Sequence, residues 1–415
     1  MKLSLSIFTV LCTLWLIPAS ADEPLGSNLT GLLDYAREHN PELAASHLDV
    51  EAAQQRPESA GALPDPVLRA QRYDITNQAT NMIPNVMPVQ SYQLSQTLPW
   101  FGKRDLQRGI ATAQTAQANG QTAADWSDLA NRLKTAYATS YYLAASEHLT
   151  QETLALLENL EQIVRERYAN GLSSQQDVVR VQVETTTLLG ELIGIQNERH
   201  HAHTQLNSLL SRPVNAVLAE PLQQRPLPPA AKLDENTLLE RLREHNPQLQ
   251  IVDAQIQSAD KSRELAYVNR YPDFTLGVAR TQFSSINTWD VMVEFNIPLQ
   301  QSARRSREHE AEAMLAAASA RKQAALNQVE SSLSENLSAL KSADRTDTLI
   351  ATRLLPQSEL TYQSALVGYE TGKVDFATLI DAQQQILQAR QQQLKAQLEA
   401  QSRLADIEKL LGEEL

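Results

Sequence analysis

One five-residue string occurs twice in this chain: Arg37-Glu38-His39-Asn40-Pro41 returns as Arg243-Glu244-His245-Asn246-Pro247. The order of features downstream of each copy also repeats, at an offset of about two hundred residues. Pro64-Asp65 is matched by Pro272-Asp273, and Gln96-Thr97-Leu98-Pro99 by Asn296-Ile297-Pro298. Tyr168-Ala169-Asn170-Gly171 is matched by Tyr369-Glu370-Thr371-Gly372, and Leu206, Leu209 and Leu210 by Ile407, Leu410 and Leu411. Matches kept in one order at a nearly constant offset imply a duplicated architecture. Each half is too long to be a solenoid unit and must carry its own helix, strand pair and long helical hairpin.

The first residues read as a signal peptide, 1–21. Lys2 gives the charged start, Leu5 to Ile17 the apolar stretch, and Ala19-Ser20-Ala21 a small-residue cleavage site. Cys12, the one cysteine, lies inside this signal behind Leu11, so neither a lipid anchor nor a thiol is expected in the mature chain. The formal charge of -13 makes nucleic acid a poor partner. With only 5% aromatic residues, long Ala-, Gln-, Leu- and Glu-rich segments favour helices packed along narrow seams. After the signal, no apolar run approaches the roughly 20 residues of a membrane-spanning helix. Entry into a membrane would therefore require a closed β-barrel.

Residues 31–55 read as a helix or helix pair broken at Asn40-Pro41. Strands are expected over 66–76 and 88–98, separated by a polar turn containing Asn77, Asn81, Pro84 and Asn85. Lys103 to Tyr168 holds no proline and could form a helix of roughly 100 Å. Its apolar positions, such as Trp126, Leu129, Leu133 and Tyr137, have coiled-coil spacing. Asn170-Gly171 breaks it, and 175–210 returns as the second arm of an antiparallel hairpin. The prolines between 213 and 237 mark the boundary, leaving repeats over 22–212 and 238–415.

In the second repeat, Trp289, Val291, Val293, Phe295 and Ile297 alternate with Asp290, Met292, Glu294 and Asn296. A strand between lipid and a watery lumen needs this pattern, and so does a sheet with one face on a soluble core. Strands over 274–283 and 288–297 precede a helical arm from about 303 to 369, interrupted at Pro356, and a returning arm over 376–411. Four strands cannot close a pore-forming barrel, which needs roughly eight or more. Strands in a membrane would require several chains to share one barrel in a cyclic oligomer.

The paired motifs Arg167-Tyr168-Ala169-Asn170-Gly171-Leu172-Ser173, with Asp177, and Gly368-Tyr369-Glu370-Thr371-Gly372-Lys373-Val374-Asp375 resemble the TolC family of outer-membrane efflux ducts. The resemblance spans about residues 30 to 412. It implies a mainly α fold with a small β part: an α-helical barrel of duplicated hairpins below a twelve-stranded barrel made by a homotrimer. It further implies a long periplasmic extension, no cofactor and no catalysis. An inner-membrane RND pump would be reached through a periplasmic adaptor, the membrane fusion protein. Hairpin tips built from Tyr168, Gly171, Leu172, Ser173, Tyr369, Gly372, Lys373 and Asp375 would meet that adaptor.

Leu63-Pro64-Asp65-Pro66 and the string Gln96 to Arg104 resemble the heavy-metal branch, ducts of the CzcC and CusC type. Metal cations are then the expected cargo, with drug efflux or type I protein secretion as alternatives. Tyr362, Gln363 and Ser364 fill the turn where several family members carry acidic gate residues. A periplasmic coiled-coil adaptor is the alternative from another class, although it would hold a single hairpin. No nucleophile elbow, phosphate-binding glycine loop or HExxH motif points to an enzyme.

Trp100, Phe101 and Trp289 are expected as interface anchors of a barrel, with ordinary packing as the other reading. His200 and His203, beside His201, stand three apart on one helical face, a spacing compatible with joint ligation. No carboxylate completes a motif and a duct must release its cargo, so no metal site is expected. Solvated helix histidines have the same spacing. His39 and His245, each just before Asn-Pro, read as helix-end residues.

Overall fold

The computed structural model describes residues 25–73, 89–221, 223–283, 286–297 and 299–415. The expected signal segment with Cys12, the polar turn with Asn77, Asn81, Pro84 and Asn85, and Pro298 lie outside the described residues.

The first repeat begins with two helices, α1 (Leu29–His39) and α2 (Pro41–Ala60). Strands β1 (Val67–Tyr73) and β2 (Val89–Leu98) come next. Helix α3 (Lys103–Ala169) and helix α4 (Gln175–Leu209) form the hairpin. A short 3-10 turn, Ala230–Leu233, leads into the second repeat: α5 (Glu235–His245), α6 (Pro247–Val268), β3 (Phe274–Phe283) and β4 (Ile286–Phe295). Its hairpin has an arm made of α7 (Gln301–Leu349), a π segment (Ile350–Leu354) and α8 (Leu355–Glu370), and a returning arm, α9 (Phe376–Leu411).

Several expected bounds shift. Strand β1 begins at Val67 and β2 at Val89. Strand β4 starts at Ile286 and ends at Phe295, two residues before the expected limits at both ends. Helix α2 runs on to Ala60 with Pro57 inside its last turn, where the proline gives up one backbone hydrogen bond to the carbonyl four residues earlier. The break near Pro356 is a π segment on its N-terminal side. A proline ring clashes with the carbonyl four residues earlier, and the wider turn over Ile350–Leu354 relieves that clash.

The Asn-Pro junctions hold each repeat together. Proline at the first helical position lacks only a donor that would be orphaned there, and asparagine caps the same helix end. Asn40 Oδ1 accepts from the Glu42 and Leu43 amides, while its Nδ2 donates to the Leu209 carbonyl at the end of α4 (3.0 Å). Asn246 Oδ1 accepts from Leu249, and its Nδ2 donates to the Leu410 carbonyl in α9 (2.7 Å). Both asparagines are buried. His39 Nδ1 and His245 Nδ1 pair with the carbonyls four residues back, Tyr35 and Arg241.

Three apolar clusters carry the packing. One joins α1 to α3, α4 and Leu218, and a second joins α5, α6, α7 and α9. The third lies at the hairpin end, around Leu157, Leu188, Leu379 and Phe376. The proline-rich connection is tied down rather than loose. Tyr137 Oη donates to the Gln223 carbonyl (3.0 Å), and Arg225 makes a two-armed pair with buried Glu408, which Lys134 also meets at 2.9 Å. Burial alone would raise the Glu408 carboxyl. The Arg225 hydrogen bonds and the Lys134 charge outweigh it and hold the group below the usual carboxylate range.

Candidate functional site

The two hairpin turns share one backbone solution. Gly171 and Gly372 adopt φ of 68° and 70°, the left-handed region that glycine enters without a Cβ penalty. At the first turn the Leu172 amide donates to Arg167 O (2.8 Å) and the Gly171 amide to Tyr168 O (2.9 Å). At the second, Lys373 donates to Gly368 O (2.8 Å) and Gly372 to Tyr369 O (3.1 Å). These are paired Schellman ends. Ser174 then caps α4 in a capping box with Asp177, and Asp375 caps α9 through the Thr378 amide (2.9 Å).

The turns are joined side by side. Arg167 Nη1 donates to the Glu370 carbonyl (3.2 Å), and its guanidinium lies 4.8 Å from the Tyr369 ring centroid. Arg180 of α4 pairs with Asp381 of α9 at 3.0 Å.

Of the residues expected at the tips, Tyr168, Gly171, Leu172, Gly372, Lys373 and Asp375 are exposed and Ser173 is half-buried. Tyr369 corrects the expectation. It is 5% exposed, packed on Phe376 with ring centroids 5.3 Å apart, and so lies under the turn instead of on its surface. Its Oη reaches Ser173 at 3.4 Å.

The four strands form one antiparallel sheet in the order β1-β2-β3-β4. Register fixes its faces, because side chains of directly paired residues point the same way. One face carries successive rows of Leu98, Phe274 and Phe295; Gln96, Leu276 and Val293; Leu68, Leu94, Val278 and Val291; then Ala70, Tyr92, Arg280 and Trp289. These rows run about 20 Å along the strands. The one amide among them, Gln96, is satisfied by the Pro64 and Thr97 carbonyls. The next row, Arg72, Gln90, Gln282 and Asn287, is polar. The opposite face carries Arg69, Gln93, Ser95, Thr97, Thr275, Thr281, Asp290 and Glu294, with Val67, Ala279 and Met292 among them and Tyr73, Val89 and Ile286 in its row at the β3–β4 turn end. Among the described residues no helix covers either face, and Leu68, Leu94 and Val291 are more than half exposed.

The three aromatic residues singled out in the sequence divide between the two ends of this sheet. Trp100 and Phe101 stand at the helix end, where Trp100 stacks on Tyr271 at 5.1 Å and Phe101 adjoins Phe274. Trp289 lies toward the β3–β4 turn and is 71% exposed. Sequence reasoning missed Tyr271, Phe274 and Tyr92, which complete the two groups. Phe274 could have been found, since it opens the strand after Pro272-Asp273, whereas Tyr92 joins Trp289 only through register. Asp273 locks the helix end, accepting from the Trp100 amide (2.7 Å) and Lys103 Nζ (2.9 Å).

The histidines lie along the upper part of α4. His200 and His201 are exposed, with ring centroids 6.2 Å apart. Burial and the neighbouring Arg199 cation push the His203 imidazole below its ordinary value. Arg199 is itself engaged by Glu147 and Glu220. Among the described residues no three potential metal ligands converge. No helix there is long and apolar enough to cross a membrane.

The model of the outer membrane efflux protein family matches residues 32–212 and 238–413, the two repeats. This chain belongs to that family. It is thus a TolC-type outer-membrane efflux duct, a channel and not an enzyme. Solved structures agree in fold. The outer-membrane channel OprN is 20% identical, with a TM-score of 0.80 over 92% of this chain and 89% of that one. VceC from Vibrio cholerae is 18% identical, with a TM-score of 0.80 over 93% and 96%. The transmembrane channel CusC is 17% identical, with a TM-score of 0.80 over 93% and 92%. No curated protein matches the chain in sequence.

Proposed function

We propose that three copies of this chain close a twelve-stranded barrel in the outer membrane. The barrel passes cargo received through a periplasmic helical tunnel. The observation that carries this reading is the sheet: one mainly apolar face, one mainly polar face and, among the described residues, no helix over either and free backbone edges on β1 and β4. Unpaired edges and a bare apolar face are both costly in water. Closure around a lumen satisfies the edges, and lipid covers the apolar face. Trp100, Phe101 and Trp289 then sit near the two membrane boundaries.

At the far end, the exposed turn residues around Gly171, Leu172 and Lys373 receive the periplasmic adaptor, which connects the duct to an inner-membrane RND pump. The duct itself supplies a route with no chemistry. Its cargo is read as heavy-metal cations on the strength of the Leu63-to-Pro66 and Gln96-to-Arg104 motifs. Likeness in fold to CusC accords with this, but the other channels share that likeness, so the motifs carry the assignment.

Membranes from cells making the full chain test both levels. A heat-modifiable trimer on a denaturing gel is the expected result, and a monomer in the soluble periplasmic fraction would overturn the barrel. Deletion should sensitise cells to divalent or monovalent transition metals. Sensitisation to drugs alone would move the cargo to the drug-efflux alternative.

A further inference from the structure

The apolar face of the sheet changes character at its β3–β4 turn end. Tyr92, Arg280 and Trp289 are directly paired across β2, β3 and β4, so one arginine stands between two aromatic residues of the same row. The next row brings Arg72 of β1 beside Gln90, Gln282 and Asn287. Arg72 and Arg280 are exposed, and Tyr92 and Trp289 are each more than half exposed. Same-face rows lie about 7 Å apart along a strand and neighbouring strands about 4.8 Å apart, so the two arginine backbones are about 12 Å apart on one surface. Neither guanidinium has an ion-pair or hydrogen-bond partner among the described residues.

The contrast with the rest of the sheet is one of charge. At the helix end, Lys103, Arg108 and Arg270 are engaged by Asp273, Asp105 and Glu308. The strand carboxylates, Asp290 and Glu294, belong to the opposite face. Among the described residues the apolar face carries two cations and no acid, in a chain whose formal charge is -13. Its turn end is therefore a local site for anions on an acidic protein.

Depth narrows the choice of anion. An arginine on a lipid-facing strand is costly at the bilayer midplane and close to neutral at the boundary. Row spacing puts Arg280 about 20 Å from the Phe274 row and Arg72 about 27 Å, while the apolar band of an outer-membrane barrel is about 25 Å tall. The two arginines thus bracket the boundary where headgroup phosphates begin. Tyrosine and tryptophan favour that same depth. The planar guanidinium fork matches phosphate oxygens, and the Gln282 and Asn287 amides add donors beside it.

We propose that Arg280 and Arg72 hold the phosphates of the glycolipid that forms the outer leaflet, with Tyr92 and Trp289 packed beside its headgroup. This rests on the barrel reading above, which turns the sheet end remote from the helices outward. The anionic lipid of that leaflet is a phosphorylated glycolipid, lipopolysaccharide, whereas phospholipid fills the inner leaflet. Charge complementarity on an otherwise apolar surface selects it, and the contact fixes the height of the duct in the membrane.

Lipid titration of the full chain in mild detergent tests this. Labelled lipopolysaccharide, the same lipid stripped of its lipid A phosphates, and phosphatidylglycerol in mixed micelles are each offered to the immobilised protein, and retention gives the affinities. The variant with Arg72→Gln and Arg280→Gln should bind intact lipopolysaccharide about tenfold more weakly than the wild type. Arg280→Lys alone should stay within about threefold, because it keeps the charge and loses only the fork. The wild type should bind the stripped lipid about tenfold more weakly than the intact one. A double variant that holds lipopolysaccharide as well as the wild type, or stripped lipid bound as tightly as intact, overturns the site. Equal affinity for phosphatidylglycerol overturns the choice of the glycolipid. Should the double variant fail to reach the membrane, the comparison of intact with stripped lipid on the wild type decides the matter. A wild-type chain recovered only from the soluble fraction overturns the barrel reading instead.

Discussion

The two hairpin turns have the same backbone and opposite surroundings. Tyr168 and Tyr369 occupy equivalent places three residues before the turn glycines, yet Tyr168 is 48% exposed and Tyr369 is 5% exposed. Past the turn, Gln175 opens α4 in solvent while Phe376 opens α9 at 1% exposure. The second turn is anchored in an apolar cluster, and the first is laid against it through Arg167 and Ser173. Duplication conserved the turn chemistry, while burial was distributed separately to each copy. The second turn thus sits on buried side chains, while the first leaves its Leu172 side chain 66% exposed.

Removing the anchor should have the largest effect. Phe376→Ala leaves a cavity under the second turn and should cost about 3–5 kcal/mol, whereas Gln175→Ala at the first should stay within about 0.5 kcal/mol. Denaturant unfolding of the purified protein measures both, and equal losses would erase the asymmetry. Next comes Leu172→Asp. A charge taken into an apolar contact should weaken capture of the adaptor about tenfold while the amount of membrane-extracted protein stays normal. Unchanged capture would take the adaptor contact away from the first turn.

A smaller effect sharpens the likeness of the two backbones. Gly171→Ala and Gly372→Ala have open space for the new methyl group, so only the left-handed conformation is penalised. Each should cost about 1–2 kcal/mol, and the two values should agree. Disagreement in the unfolding midpoints would mean that the turns differ in more than their surroundings.

The smallest difference concerns pH. The Thr378 side-chain and amide hydrogen bonds hold the Asp375 carboxyl below its ordinary 3.8. A depressed folded value contributes stability that is complete above the unfolded value and fades as pH falls through the folded one. The Ser174 hydroxyl that caps the first turn does not titrate. Hydrogen exchange at the Thr378 amide should therefore speed up relative to the Asp177 amide as pH drops below about 4. A constant ratio would break the assignment of the carboxylate as the working cap.

Local chemistry was legible without a structure. Glycine at 171 and 372, proline after Asn40 and Asn246, and period-two alternation from Trp289 to Ile297 each constrain a few neighbouring residues. Backbone sterics act over that same short range. From them came the repeat, the hairpins and the existence of four strands. The limits of β1 and β4 were less legible, because a strand ends where its partner stops pairing.

Only the tertiary structure decided what lies beyond one turn of chain. It showed that Asn40 and Asn246 each pin the far end of their own hairpin, a bond spanning 169 and 164 residues respectively. It put Tyr92 and Trp289 in one row through two intervening registers, although neither strand's pattern mentions the other. It also separated Tyr168 from Tyr369, which share a motif. Periodicity and capping are properties of a segment, whereas register and burial are properties of what packs against it. The sequence by itself therefore determined that this chain is two copies of a strand-and-hairpin unit. Packing between the two repeats determined which turn is anchored in an apolar cluster and which is left exposed.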